Sequence, residues 1–403
     1  MNDPDAPIRS AGDLVDDLLY RHAIRSRPVE NAFRTVPRHL FVPRYLCDGR
    51  MVDSTNPSYL EGIYSDVVLN TRIAEDGSPT SASSQPFLMA EMIETLGLER
   101  GMKVLEIGTG TGYNAALIHA VTDAKVVSID VQPDVVADAK IALRKAGISD
   151  VDVFARDGYH GYPEGANFDR IVATVGITGF SPAWFEQLAP GGTILAPISH
   201  GGLHFLLHAR GDGGTIRAQG VEQVSFMSAD GPLTVSPHAR KSPPPISIHE
   251  ASTIHFDRVK SARERWPFPR GDDSYSDLWV ACAAWEHRIT RADIEWNLGS
   301  VFALVVDSEP KSVAILPHDG RVRFSGPLGI SAASQLTKLI VSWEKNGRPS
   351  RKDWMCECSL MGPSGSAVLV PRNWSDLRQK TTISPDSGPN VRLQIDSRGI
   401  RPM

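Results

Sequence analysis

Cysteine is scarce in this 403-residue sequence, with only Cys47, Cys282, Cys356 and Cys358 present. The one close pair, "CEC", has no second pair and no histidines at zinc-ligand spacing, so neither a zinc site nor a disulfide framework is expected. Alternate positions of a half-buried strand explain that spacing more simply. No apolar run approaches membrane-spanning length, and "MNDPDAPIRSAGDLVDD" has no basic segment leading into an apolar one. The expectation is a cytoplasmic protein with no membrane partner and no metal. A net positive charge is also lacking, since 42 Lys and Arg against 47 Asp and Glu leave a formal net charge of −5. There is no N-P-P-Y-type base-holding motif and no basic stretch interleaved with aromatics, so nucleic acid is not an expected partner.

The composition is that of a globular protein, 41% hydrophobic and 22% charged, and the length implies two or three domains. Leu14, Val15, Leu18, Leu19 and Ile24 recur at helical spacing over 11–26, and a second helix is expected over 28–36. Prolines then break the pattern in "PRHLFVPRYL", and a long irregular connection follows in which "DVVLNTRI" reads as a strand or hairpin arm. After Pro86, the residues Leu88, Met89, Met92, Ile93 and Leu96 form a helical stripe stopped by Gly97. The segments "KVLEIG", "KVVSID", "VDVFA", "FDRIVAT" and "GTILAPI" are short, β-branched and almost continuously apolar, with helical stretches between them. That alternation predicts an α/β fold with a parallel sheet covered on both faces.

"LHFLLHA", "GDGGTIRA" and "VEQVSFM" read as three late strands, followed by a proline- and serine-rich connector. The remainder predicts a separate C-terminal α+β domain of strands with one helix, over 331–345. The positive runs "HRITRAD" and "RPSRKDW", the latter with Arg348, Arg351 and Lys352, are solvated faces unless an acidic peptide uses them. His119 reads as a partly exposed helix residue rather than a base.

The most informative stretch is "VLEIGTGTGYNAALIHA", in which Gly108, Gly110 and Gly112 connect a strand to a helix. Glycines there allow close backbone approach to a ligand, and the helix beginning near Tyr113 and Asn114 directs unpaired N–H groups at it. One helix later, "KVVSID" ends in Asp130, placed to accept hydrogen bonds from ribose hydroxyls, with Val131 beside it. Glu106 ahead of the loop, Thr109 within it, and Asp157 and Gly158 in the later "RDGY" complete an order that resembles the Rossmann-like S-adenosylmethionine-dependent methyltransferases. In that class, Asp157 and Gly158 fall where adenine is usually met.

Three stretches sharpen the resemblance: "VPRHLFVP" at 36–43, "SSQPFLMA" at 83–90 and "VLEIGTGTGYNAAL" at 104–117, continued by "FDRIVAT" and "LAPGGTILAPI". They resemble the protein-L-isoaspartate O-methyltransferase family over roughly half of the chain. The resemblance implies S-adenosylmethionine as cofactor, S-adenosylhomocysteine as product and a peptide or protein presenting Asp or isoaspartate as substrate. Ser84, before Gln85 and Pro86, falls at the family's serine that contacts the carboxylate being methylated. A serine before proline is also a standard helix cap, so Ser84 is expected to cap the next helix as well. Ser81 and Ser83 are expected to be solvated loop residues or cofactor-edge contacts rather than catalytic groups, with Ser83 counted among the cofactor-binding residues. Two departures stand out: Asp130 replaces the usual glutamate, and Phe87 follows the proline.

The expected organisation is a helical segment and loop over 1–80, a cofactor-binding methyltransferase domain over 81–230, a linker over 231–253, and a C-terminal peptide-binding domain over 254–403. Because of that last region, the chain resembles extended members that tailor ribosomally made peptides of the lanthipeptide or graspetide type. That resemblance implies methylation of an aspartyl side chain followed by closure to a succinimide (aspartimide). General isoaspartyl repair is the alternative, and a non-catalytic cofactor- or peptide-binding module is the alternative of another class.

Overall fold

The computed structural model describes residues 10–212, 214–234, 246–248, 273–294, 300–306, 309–378, 393–396 and 399–402. Most of the expected 231–253 linker therefore lies outside the described residues. The chain divides into two compact units, Met1–Val175 with Ala183–Leu195, and Gly176–Pro182 with Ala196–Met403.

The first unit opens with α1 (Ala11–Tyr20) and α2 (Arg27–Thr35). Ser10 caps α1 by accepting the Asp13 N–H at 3.2 Å, and Pro28 lies in the first turn of α2, where its missing N–H costs nothing. The connection that follows is more regular than the sequence indicates. It holds a hairpin of β1 (Arg44–Cys47) and β2 (Arg50–Asp53), then a short helix α3 (Tyr59–Ile63). The segment containing "LNTRI" is β3 (Leu69–Ile73), paired antiparallel with β4 (Pro79–Ser83) so that Leu69 faces Ser83. Helix α4 (Pro86–Leu96) begins at its proline and stops where Gly97 turns left-handed at φ 56°.

Five strands form a parallel sheet in the order β9-β8-β5-β6-β7: β5 (Val104–Ile107), β6 (Val126–Asp130), β7 (Val151–Ala155), β8 (Phe168–Ala173) and the start of β9 (Leu188–His200). Between them run α5 (Tyr113–Thr122), α6 (Pro133–Lys145) and α7 (Pro182–Glu186). Every residue of β5 is buried, as a central strand covered on both faces must be. Helix α5 buries Ala115, Ala116, Leu117 and Ile118 consecutively, which marks a helix enclosed by protein rather than one lying on the surface. Because β5, β6 and β7 are parallel, Ile107, Asp130 and Ala155 end at one edge of the sheet, where ligands of such folds bind.

In the second unit, β10 (Leu203–Asp212), β11 (Thr215–Val224), β17 (Trp354–Met361) and β18 (Val368–Asp376) form antiparallel neighbours in that order. The expected separate strands "GDGGTIRA" and "VEQVSFM" are thus largely one strand, β11. A second sheet has the order β12-β13-β14-β15-β16, with β12 (Ile246–Ile248), β13 (Ile289–Ile294), β14 (Ser300–Val306), β15 (Glu309–Leu316) and β16 (Arg323–Ser325). Its Ala292, Val301, Ala303, Val305, Val313 and Ile315 form an apolar cluster. Two helices belong here, α8 (Asp273–Trp285) and α9 (Gly329–Lys345), whereas the sequence reading contained only the second. A short hairpin, β19 (Leu393–Asp396) with β20 (Gly399–Pro402), follows.

Cys356 and Cys358 are alternate buried residues of β17, as the strand reading of "CEC" requires. The "RPSRKDW" run is not an open basic face. Arg351 is largely buried and pairs with Glu222 at 2.6 Å, Asp277 at 2.9 Å and Asp273 at 3.1 Å, while Arg348 pairs with Glu344 at 3.1 Å. The acids that claim Arg351 are distant in sequence, whereas Glu344 lies only four residues before Arg348. Among the described residues no helix is long and apolar enough to cross a membrane. Nor, among them, is any group of three or more His, Cys, Asp or Glu placed to hold a metal ion.

Candidate active site

The site is assembled from the first unit alone. The glycine loop leaves β5 with Gly108 at φ 100°, and its N–H donates to Ile129 O of β6 at 2.8 Å. Thr174 Oγ1 donates to Gly108 O at 2.6 Å from the end of β8. Gly112 then caps α5 in a left-handed conformation, where a side chain would press on Ala139 of α6 at 3.2 Å. Only glycine allows a turn so close to its neighbours.

Beneath the loop lies a buried polar brace. Glu106 Oε1 accepts from Asn114 Nδ2 at 2.8 Å and Oε2 accepts from Ser128 Oγ at 2.5 Å, while Thr109 Oγ1 and Ser128 Oγ are 2.7 Å apart. The side chains of Glu106, Thr109 and Asn114 therefore hold the loop from behind, linking β5, β6 and α5. The Tyr113 ring is also turned inward, against Phe33 and Phe41 at centroid distances of 6.4 and 5.6 Å. Its backbone N–H donates to Thr111 Oγ1 at 3.4 Å.

Burial drives the Glu106 carboxyl up to about 7, because desolvating the anion outweighs its two hydrogen bonds. Its folded value lies above the ordinary 4.5, so the folded state binds the proton more tightly. The resulting stability is complete below 4.5 and is lost as pH rises through about 7. Glu106→Gln is expected to flatten this dependence. Denaturant midpoints of wild type and variant should differ more in the variant's favour above pH 7 than below it, and parallel profiles would contradict this assignment.

At the neighbouring strand end, Asp130 Oδ2 accepts from Gly110 N at 3.1 Å and Oδ1 accepts from Gln132 N at 3.0 Å. Its carboxylate is thus fixed against the loop at the end of β6, with half-exposed Val131 beside it. Asp157 follows β7 and accepts the Tyr159 N–H at 2.9 Å, closing a short turn, while Gly158 O accepts Trp184 Nε1 at 2.8 Å. The structure brings Gly108, Gly110, Asp130 and Asp157 to one edge. His119 stays outside it, bonded to Ala124 O at 2.8 Å.

The serine segment is carried there by the β3–β4 hairpin. Gln132 Nε2 donates to Thr80 O at 2.9 Å, and Arg72 reaches Asp134 and Asp138 of α6. A side chain on Gly110 would lie 3.1 Å from Ala82 O, so β4 runs close against the glycine loop two residues before Ser84. Ser81 and Ser83 are buried within β4 and not in a solvated loop. The Ser83 hydroxyl faces Arg38, at 3.2–3.3 Å from the guanidinium, instead of an open cofactor edge.

Ser84 does not cap α4. The residue at the cap position is Gln85, which makes no side-chain cap bond. The cap comes from Asp66, whose Oδ1 accepts Phe87 N at 2.8 Å and whose Oδ2 accepts Gln85 Nε2 at 2.9 Å and Arg21 Nη1 at 2.6 Å. The Ser84 side chain, half-buried, therefore needs no partner within the helix. Arg38 and Asp66 were not among the expected site residues. Arg38 sits inside "VPRHLFVP", yet nothing in that motif reveals that the charge is turned inward.

A parallel sheet of this order, with a glycine turn after its central strand and an acid ending the next, defines a Rossmann-like methyltransferase of the S-adenosylmethionine-dependent class. Residues 9–234, more than half of the chain, match the family model described as protein-L-isoaspartate(D-aspartate) O-methyltransferase (PCMT), and the chain belongs to that family. A protein-L-isoaspartate O-methyltransferase of Thermotoga maritima is 39% identical over 174 residues, 42% of this chain and 50% of that protein. That match spans half the relative's length. One of Koribacter versatilis is 32% identical over 225 residues, 56% of this chain and 92% of its own. A solved structure of a protein-L-isoaspartate O-methyltransferase superposes with a TM-score of 0.52 at 25% identity, covering 89% of this chain and 99% of that one.

Proposed function

We propose that the protein is a cytoplasmic carboxyl O-methyltransferase that uses S-adenosylmethionine to esterify isoaspartyl residues in proteins or peptides. The observation that carries this is Ser84. Its hydroxyl is not used as a helix cap, and it follows directly from a strand lying against the glycine loop.

The residues present fit the cofactor. Gly108, Gly110 and Gly112 leave the loop free of side chains, the start of α5 offers backbone N–H groups, and Asp130 presents a fixed carboxylate to hydroxyls. Bound there, S-adenosylmethionine would supply an electrophilic methyl group. No general base is needed, because a carboxylate with an ordinary pKa near 4 is already ionised at neutral pH. The task left to the protein is alignment. Ser84 donates a hydrogen bond to one carboxylate oxygen and leaves the other directed at the methyl group. The ester so formed has methoxide as its leaving group, and attack by the following backbone nitrogen closes a succinimide.

The tailoring reading took the carboxy-terminal region as an addition that a repair enzyme lacks. The superposition extends over 89% of this chain, which removes the reason for treating that region as a mark of tailoring. We therefore favour the isoaspartyl substrate, with the second unit as a peptide-binding element. The test is transfer of a labelled methyl group to an isoaspartyl peptide. A base-labile label released as methanol is expected, whereas an alkali-stable label would sink the carboxyl-ester reading.

A further inference from the structure

Arg38 is fully buried, and among the described residues no carboxylate hydrogen-bonds to it. Its donors meet only neutral acceptors. Nη1 donates to Ile63 O at 2.8 Å and Ser65 O at 3.1 Å, while Nη2 donates to Val67 O at 3.2 Å and Ser84 O at 3.0 Å. Ser83 Oγ accepts from Nε at 3.3 Å and from Nη2 at 3.2 Å. Burial lowers the proton affinity of the guanidinium to about 10, so it remains charged at neutral pH.

A buried cation is costly, and an apolar side chain of similar volume would fill the space without that cost. What an apolar residue could not do is tie two separate pieces of chain together. The planar fork grips three carbonyls of the connection at 63–67 and, on its other side, the Ser83–Ser84 junction. Between these grips lies Asp66, the residue that caps α4 through Phe87 N. One side chain thus fixes both approaches to Ser84, from the peptide bond that follows it and from the loop that anchors its helix. Lysine offers a single donor head and cannot reproduce a fork.

We infer that Arg38 is a positioning residue for Ser84, holding the serine hydroxyl in register with the methyl-transfer site through Ser83, Ser84 and the 63–67 loop. This inference rests on the reading of Ser84 as the carboxylate holder.

The test compares Arg38→Lys in wild-type and Ser84→Ala backgrounds, with Ser83→Ala as a milder second variant. With an isoaspartyl peptide, Arg38→Lys should lower kcat by about tenfold or more, with affinity for S-adenosylhomocysteine within about twofold of wild type. Added to Ser84→Ala, it should lower the residual rate by less than about twofold, because coupled residues are not additive. Ser83→Ala should move kcat in the same direction by a smaller factor. Equal losses in both backgrounds, or a loss of nucleoside affinity matching the loss of rate, would make Arg38 a structural plug and overturn the inference.

Amide hydrogen exchange provides a readout independent of turnover. Arg38→Lys should raise exchange together in segments 63–67 and 83–87, and unchanged protection in either would also overturn it. A wild-type protein that binds the nucleoside but methylates no isoaspartyl peptide would refute the proposed function, while the exchange result still decides the role of Arg38.

Discussion

Replacing Ser84 by alanine is expected to reduce kcat for methyl transfer to an isoaspartyl peptide by about 100-fold or more, with cofactor affinity within about twofold of wild type. The separation of the two effects follows from the structure. The Ser84 side chain takes no part in capping α4, which begins at Pro86 and is anchored by Asp66, so the helix should survive the substitution. The brace of Glu106, Asn114 and Ser128 that holds the glycine loop is built from β5, α5 and β6, without Ser84. Thermal unfolding should therefore move little. Isothermal titration with S-adenosylhomocysteine beside initial rates separates the possibilities. A fully active variant would reduce Ser84 to a junction residue.

The second large effect is expected at Gly108. A side chain there would sit 2.7 Å from Thr174 Oγ1 and 2.9 Å from Val175 Cγ1, on a backbone at φ 100° that side chains rarely adopt. Thr174 cannot swing aside without losing its bonds to Ile107 O at 3.2 Å and Gly108 O at 2.6 Å. Strain of about 1–3 kcal/mol then falls on the loop proposed to cradle the cofactor. Each 1.4 kcal/mol corresponds to about a tenfold change in affinity, so Gly108→Ala should weaken cofactor binding by between about fivefold and about 100-fold. Gly101→Ala is the control, because that glycine is also left-handed, at φ 89°, but has nothing within 4 Å of the added carbon. It should leave binding unchanged while lowering the unfolding midpoint slightly. Equal affinity losses in both variants would show that the effect is not local to the loop.

How much of this was legible depends on the range of the interaction concerned. The five parallel strands announce themselves through short β-branched runs, and α4 through its proline start and Gly97 stop, all of which are local signals. Helix α8 is hidden in the sequence because Tyr275, Leu278, Trp279, Val280, Ala281, Cys282 and Ala284 are all buried, which erases the one-sided period that distinguishes a helix. Ser84 is the expected cap of α4 because capping is normally local, whereas the structure supplies the cap from Asp66, well upstream in the connection. Arg38 and Arg351 were unreadable for the same reason. An arginine in a sequence reads as surface charge, and only the fold shows acceptors or acids brought to it from dozens of residues away.

The proposed role of Ser84 and the adjoining loop is to hold an isoaspartyl carboxylate for methylation. Its most direct test is to incubate the purified full-length chain and S-adenosylmethionine with two peptides identical except for isoaspartate or aspartate at one position. The expected result is base-labile methyl ester on the isoaspartyl peptide, followed by succinimide, at a kcat/KM far above that for the aspartyl twin. Methylation of the aspartyl twin alone, or of neither peptide by a protein that binds the cofactor, would contradict it.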